Sequence, residues 1–344
     1  MLAARMYGKN DLRLEEVPVP TLQPGELLVR VKAAAICGTD LRMVRNGAKG
    51  IDGDHPCILG HELAGVIEAL GEGTVGYEVG QRVAVAPNMG CGVCDMCVAG
   101  KGHLCPTYKA LGINLDGGFA EFCRIPRAAV QGGNVCLLSE GISFEEAALG
   151  EPLSCVCNGF ERAGTRAGDT VLVIGAGPIG IMHCALSLMT GANVYLNDIS
   201  EERLAEAVRL YPAIRPVRGD PEKTFMPMTG NRGADVIITA CPVPSVQAAA
   251  VRMAAMEGRV IFFGGVPADR QPVGIDTNLI HYKQLMVSGT TRASLTQYRK
   301  TLRWIESGVL NVKPLITARF PLAQIGEAMD RAARAEGLKN VVTF

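Results

Sequence analysis

Four cysteines, Cys91, Cys94, Cys97 and Cys105, fall at the spacing C-x2-C-x2-C-x7-C inside a glycine-rich stretch. Four thiolates close a tetrahedral shell round zinc and leave no position open to a reactant, so this spacing predicts a structural zinc. An iron–sulfur cluster uses the same donors, but nothing else in the chain points to electron transfer. A second donor set is more dispersed. Cys37 stands in Cys37-Gly-Thr-Asp40, and His61 and Glu62 stand in Gly60-His61-Glu62. One sulfur, one imidazole and carboxylates suit a zinc that keeps a position for water or an alcohol. The chain has only five histidines, so few other imidazole ligands exist. Glu151 lies in the apolar run Leu149-Gly-Glu-Pro-Leu-Ser154, where a charged carboxylate needs a partner. It is read as a site residue, with a helix-start carboxylate beside Pro152 as the plainer alternative.

The third constellation is Gly175-Ala-Gly-Pro-Ile-Gly180, the spacing G-x-G-x-x-G, followed by Asp198. Gly175 permits a tight turn, Gly177 lets the backbone approach a pyrophosphate, and Gly180 lets helix and strand pack closely. Pro178 and Ile179 open the helix whose N-terminus would face the phosphate charge. An acidic side chain at Asp198 accepts ribose hydroxyls and repels a 2′-phosphate, which favours NAD over NADP. Arg203 either lies along the adenine or is a solvated helix charge.

These residues require two kinds of scaffold. Residues 1–146 read as short strands broken by turns, among them Leu27 to Ala33, Leu63 to Leu70, Arg82 to Ala86 and Phe119 to Ile125. That pattern predicts an all-β, partly barrel-like unit. From 147 to 289 apolar runs such as Val171 to Ile174, Val194 to Asn197, Val236 to Thr239 and Val260 to Phe263 alternate with helix-length segments. Such alternation is the pattern of a parallel sheet wrapped by helices, with Ala213 to Val217 a weak third strand. Residues 290–344, with helices expected at Leu295 to Ser307 and Leu322 to Ala335, do not extend that unit. They are expected to return to the first domain and leave a cleft between the two.

Composition narrows the function classes. The chain has 344 residues, room for two domains. Lys plus Arg number 34 and Asp plus Glu number 34, so no net field draws it to nucleic acid or an anionic membrane. That balance also weighs against a zinc ribbon that reads nucleic acid. No apolar run is long enough to span a bilayer, and the charged first residues do not read as a signal peptide, so a cytoplasmic location is expected. The remaining cysteines, such as Cys57 and Cys184, sit in apolar surroundings and read as small core residues.

Taken together, Cys37-Gly-Thr-Asp40, Gly60-His61-Glu62, the four-cysteine loop, Glu151-Pro-Leu-Ser154 and Gly175 to Gly180 resemble the zinc-dependent medium-chain dehydrogenases, sorbitol (polyol) branch. The resemblance covers nearly the whole chain. It implies a GroES-like catalytic domain, a Rossmann domain for NAD, and two zinc ions per chain. By similarity Cys37 and His61 are ligands of the catalytic zinc and Glu62 is a ligand or a close neighbour of one. Glu151 is a fourth ligand or the holder of a zinc-bound water, Asp40 orients His61, and Thr39 takes the substrate proton. Arg292 occupies the position of a polyol-facing arginine, with a surface ion pair as the alternative. Phe119 is read as a pocket wall or a core residue. Arg42 and Met43 replace the histidine and tyrosine frequent in the family, and Arg42, Arg45 and Lys49 either meet an anionic group or form a solvated loop. The implied activity is oxidation of a secondary alcohol of a polyol by a homodimer or homotetramer. Polyol-phosphate, sugar-acid and L-threonine 3-dehydrogenases are the alternatives within the family. A zinc- and nucleotide-binding scaffold without catalysis is the alternative outside it.

Overall fold

A computed structural model describes residues 1–344, the side chain of Ala268 excepted. The chain divides into two compact units. One comprises Met1–Ser154 with Arg292–Phe344, and the other Cys155–Thr291. The first crossing falls inside the helix Gly150–Ala163 rather than at residue 147, because the run from Gly150 to Ser154 packs with the first unit.

In the first unit the long strand Leu27–Ala35 is central. It pairs antiparallel with Glu62–Leu70 on one side and with Lys339–Thr343 on the other, while Phe122–Ile125 joins its first residues. Arg82–Val85 and Val135–Leu137 extend one flank, and Ile316–Pro321 the other. Its buried positions face a core that includes Leu63, Ile67, Val83 and Val85. Arg30, the one exposed residue of that strand, answers Glu68 on the neighbouring strand. A smaller sheet of Asp11–Glu16, Leu2–Gly8 and Cys57–Ile58 lies apart from this ladder.

Two expectations need correction here. The run from Phe119 becomes a strand only over Phe122–Ile125, since Gly117 and Gly118 make loop hydrogen bonds to the Ile58 and Gly60 carbonyls. The returning segment also carries more than two helices. Besides Leu295–Glu306 and Ile325–Ala333 it supplies the parallel strands Ile316–Pro321 and Lys339–Thr343. Ser294 caps the first of these helices by a reciprocal pair with Gln297.

The second unit is a six-stranded parallel sheet. Its spatial order is Arg215–Val217, Asn193–Asn197, Thr170–Ile174, Ala234–Thr239, Ala254–Phe262, Met286–Gly289. In chain order that is 3-2-1-4-5-6, the doubly wound Rossmann arrangement. Val171, Leu172 and Val173 are wholly buried, as the uninterrupted apolar run requires of a strand covered on both faces. The reversal of strand order lies at Thr170–Ile174, the strand that feeds the glycine-rich turn. Among the described residues no helix is long and apolar enough to cross a membrane.

Candidate metal centre and dinucleotide turn

Strand register assembles the dispersed donors. Ala35 stands opposite Glu62 in the antiparallel pair, so Cys37, two residues beyond one strand, and His61, one residue before the other, reach the same edge. Gly60 makes the approach possible. Its φ is +90°, and a Cβ there would lie 2.8 Å from the Phe119 ring. Candidate ligand atoms of Cys37, His61 and Glu62 all lie within 4.8 Å of one another.

Asp40 ties this edge together. Cys37 is the N-cap of the helix Gly38–Asn46, and its backbone N–H donates to Asp40 Oδ2 at 2.8 Å. Asp40 Oδ1 stands 3.3 Å from His61 Nδ1, a contact of charge at an angle too poor for a hydrogen bond. Burial works to strip the His61 proton, but the charges of Asp40 and Cys37 outweigh it and raise the pKa.

Sequence reasoning missed Lys339. Its ammonium is buried, donates to Glu62 Oε2 at 2.5 Å and to the Ile36 carbonyl at 2.8 Å, and so holds one candidate ligand and the residue before another. Burial pushes the Glu62 carboxyl up, and Lys339 opposes that rise. A lone lysine in Gly337-Leu-Lys-Asn340 carries no signal of such a role, because the pairing depends on a strand that the hydropathy pattern does not announce.

The donor set fits a metal. Glu62 Oε1, His61 Nδ1 and Asp40 Oδ1 are buried without hydrogen-bond partners. Buried polar atoms are normally paired, and an ion is one standard reason for an exception. Sulfur, nitrogen and oxygen at this separation fit zinc. Glu151 does not enter the close trio. It is buried in the first turn of Gly150–Ala163, near enough for its charge to raise the Glu62 carboxyl further. Thr39 is half-buried in the first turn after Cys37.

The four loop cysteines also place their sulfurs within 4.8 Å of one another. The Cys91 N–H donates to Cys105 Sγ at 3.3 Å, and with Thr107 it draws the Cys105 thiol down to about 6. A thiol already inclined to ionise suits a metal ligand.

Phe119 is a core residue, with no exposed surface and its ring against Gly60. Arg292 is half-buried. Its guanidinium carbon lies 3.6 Å from the centre of the Tyr108 ring, and Nη1 donates to the His103 carbonyl at 2.7 Å. Met43 is buried in the core, while Arg42, Arg45 and Lys49 are exposed. A cavity of about 410 Å³ in the first unit, bounded by Lys49, His55, Cys57, Asp116 and Arg124, has none of the trio in its lining.

In the second unit Gly177 is the N-cap and Pro178 the first residue of Pro178–Met189, followed by Ile179. A Cβ on Gly180 would collide with the Gly175 carbonyl, so this helix can start so close to the strand only with glycine there. Asp198 follows Asn193–Asn197, accepts the Ala176 N–H at 2.6 Å and the Ser200 N–H at 2.8 Å, and thus braces the turn. Arg203 lies half-buried in Glu201–Leu210, with its N–H on the Ser200 hydroxyl.

Comparison with known proteins agrees with this anatomy. Residues 23–132 match the alcohol dehydrogenase GroES-like domain, and residues 178–307 match the zinc-binding dehydrogenase family. Sorbitol dehydrogenase of Bacillus subtilis is 31% identical, over 96% of this chain and 93% of its own. L-threonine 3-dehydrogenase of Pyrococcus furiosus is 36% identical, over 91% of this chain and 88% of its own. The crystal structure of a short chain alcohol dehydrogenase from E. coli CFT073, complexed with NADH, superposes with a TM-score of 0.90. It shares 30% identity and covers 100% of this chain and 99% of its own.

Proposed function

The chain belongs to the zinc-dependent medium-chain dehydrogenases, with sorbitol dehydrogenases among its relatives, and from that premise we propose that it oxidises a secondary alcohol of a polyol to a ketone. The carrying observation is the buried trio Cys37, His61 and Glu62 with an unpartnered carboxylate oxygen. Zinc held there would supply Lewis acidity toward the alcohol oxygen, and NAD held by the glycine turn would supply the hydride acceptor.

The chain's own groups do the rest. Asp40 fixes the His61 ring so that its Nε2 is the edge offered to the metal. Lys339 neutralises one Glu62 oxygen and leaves the other for ligation. Glu151, outside the trio, is assigned to hold a water or the substrate hydroxyl. Thr39 is assigned to receive the substrate proton through its hydroxyl. Asp198 is assigned the adenosine ribose, which selects NAD. Cys91, Cys94, Cys97 and Cys105 are assigned a second zinc, giving two per chain, and self-association into a dimer or tetramer is part of the same reading.

The experiment is a substrate panel of polyols, polyol phosphates, sugar acids and L-threonine with NAD, on protein whose zinc content has been measured. About two zinc per chain with turnover of a polyol is the expected result. Preference for L-threonine would move the substrate to the alternative favoured by the 36% relative. Glu151→Ala should cut turnover strongly and leave NAD affinity nearly intact; unchanged turnover would remove Glu151 from the mechanism.

A further inference from the structure

Arg292 is held in an uncommon way. It is the first residue of the returning segment and has a φ of +54°, a left-handed conformation uncommon for residues other than glycine. Both of its named contacts belong to the four-cysteine loop. The guanidinium stacks on Tyr108, well within the range of a cation–π contact, and Nη1 donates to the His103 carbonyl. His103 and Tyr108 lie on either side of Cys105. The Cys105 N–H donates to Gly102, beside His103, and the Tyr108 N–H donates to the Cys105 carbonyl at 3.1 Å. The two surfaces that grip Arg292 are therefore set by the backbone of a candidate metal ligand.

We propose that Arg292 is a positioning residue that clamps the four-cysteine loop in its metal-holding form, so that retention of the loop's metal and placement of the guanidinium depend on one another. The mutual dependence follows from linkage: if the folded loop favours the clamp, the clamp favours the folded loop by the same factor. The returning helix extends the consequence inward. Thr301 donates to the Gly150 carbonyl at 3.2 Å, next to Glu151, so the segment that Arg292 begins also backs a residue of the candidate centre. A guanidinium with one face on Tyr108 and one arm on His103 offers substrate only a preset remainder of its donors.

The inference rests on the reading of the loop as a metal site, and its test separates the two. The full chain is loaded with Co2+. Sulfur-to-cobalt charge-transfer absorption is far stronger from four thiolates than from one, so its decay under excess EDTA reads the loop. Arg292→Met should speed the decay at least about fivefold, the size of one cation–π contact together with a hydrogen bond, and Tyr108→Leu, which loses the stack alone, about three- to fivefold. The double variant should decay no faster than the quicker single variant, and Arg292→Lys, which keeps charge and a donor but loses the planar stack, should fall between. Decay within twofold of the parent in Arg292→Met and Tyr108→Leu, with the band present, overturns the clamp and leaves the loop reading intact. Multiplying effects in the double variant also overturn it. Absence of the band from the parent protein overturns both. An arginine that only faced substrate would change KM and leave this decay unmoved.

Discussion

Replacing Lys339 by Met tests the buried centre most directly. Lys339 is 3% exposed and Glu62 0%, and their charged atoms are 2.5 Å apart. In metal-free protein the substitution leaves a carboxylate enclosed with both oxygens unpaired, because Oε1 already lacks a partner. Removing one member of such a pair costs about 3–5 kcal/mol, whereas replacing both by apolar groups of similar volume is often near neutral. Lys339→Met should therefore destabilise the first unit by about 3–5 kcal/mol, and Lys339→Met with Glu62→Met should recover most of that loss. Urea unfolding followed by fluorescence of Trp304, the one tryptophan of the chain, reads this unit, since Trp304 lies in Leu295–Glu306. Excess zinc should shrink the loss in the single variant, because a cation on Glu62 replaces the missing counter-charge and binds only the folded form. A single variant less than about 1 kcal/mol below the parent, or a double variant no better than the single, would refute the argument.

Burial holds the His183 imidazole down to about 3, and neither ring nitrogen has a hydrogen-bond partner. Below pH 6.5 the unfolded chain takes up a proton that the folded chain refuses, so stability should fall by up to ~1.4 kcal/mol per pH unit down to about pH 3. His183→Leu should flatten this slope in urea titrations between pH 6.5 and 4.5, and equal slopes would contradict the assignment. Asp198→Asn keeps an acceptor for one braced N–H and loses the charge, so it should relax discrimination against NADP with a smaller loss of NAD affinity than Asp198→Ala. Equal losses measured by cofactor titration would mean that the brace is irrelevant to binding. Phe119→Ala should destabilise the first unit by about 3–5 kcal/mol and leave KM for the alcohol within twofold; a raised KM without destabilisation would return Phe119 to the substrate pocket.

Much of this was legible in the residues because local rules and long-range needs coincide. The Val171–Ile174 run, the glycine spacing and Asp198 sit in consecutive elements, so a short window contains the whole dinucleotide turn. The loop cysteines are equally local. Cys37, His61 and Glu62 were recognisable as types, but only the pairing of Ala35 with Glu62 brings them to one edge. The final strand could not be read in this way. Its buried Lys339 breaks the apolar pattern, and its partner lies in the first quarter of the chain. Phe119 and Arg292 each kept two readings in the sequence for a related reason: neither the packing of a ring on Gly60 nor the stacking of a guanidinium on Tyr108 leaves a mark in nearby sequence.

Glu62 and Lys339 are 277 positions apart. At about 5–20 residues per second, a ribosome releases the acidic half of this pair roughly a quarter of a minute to a minute before its basic half. During that interval the nascent chain exhibits sulfur, imidazole and carboxylate with no ammonium to restrain them. Lys339 cannot restrain Glu62 until the chain is nearly finished, so metal supply during translation bears on the yield as well as metal supply afterwards.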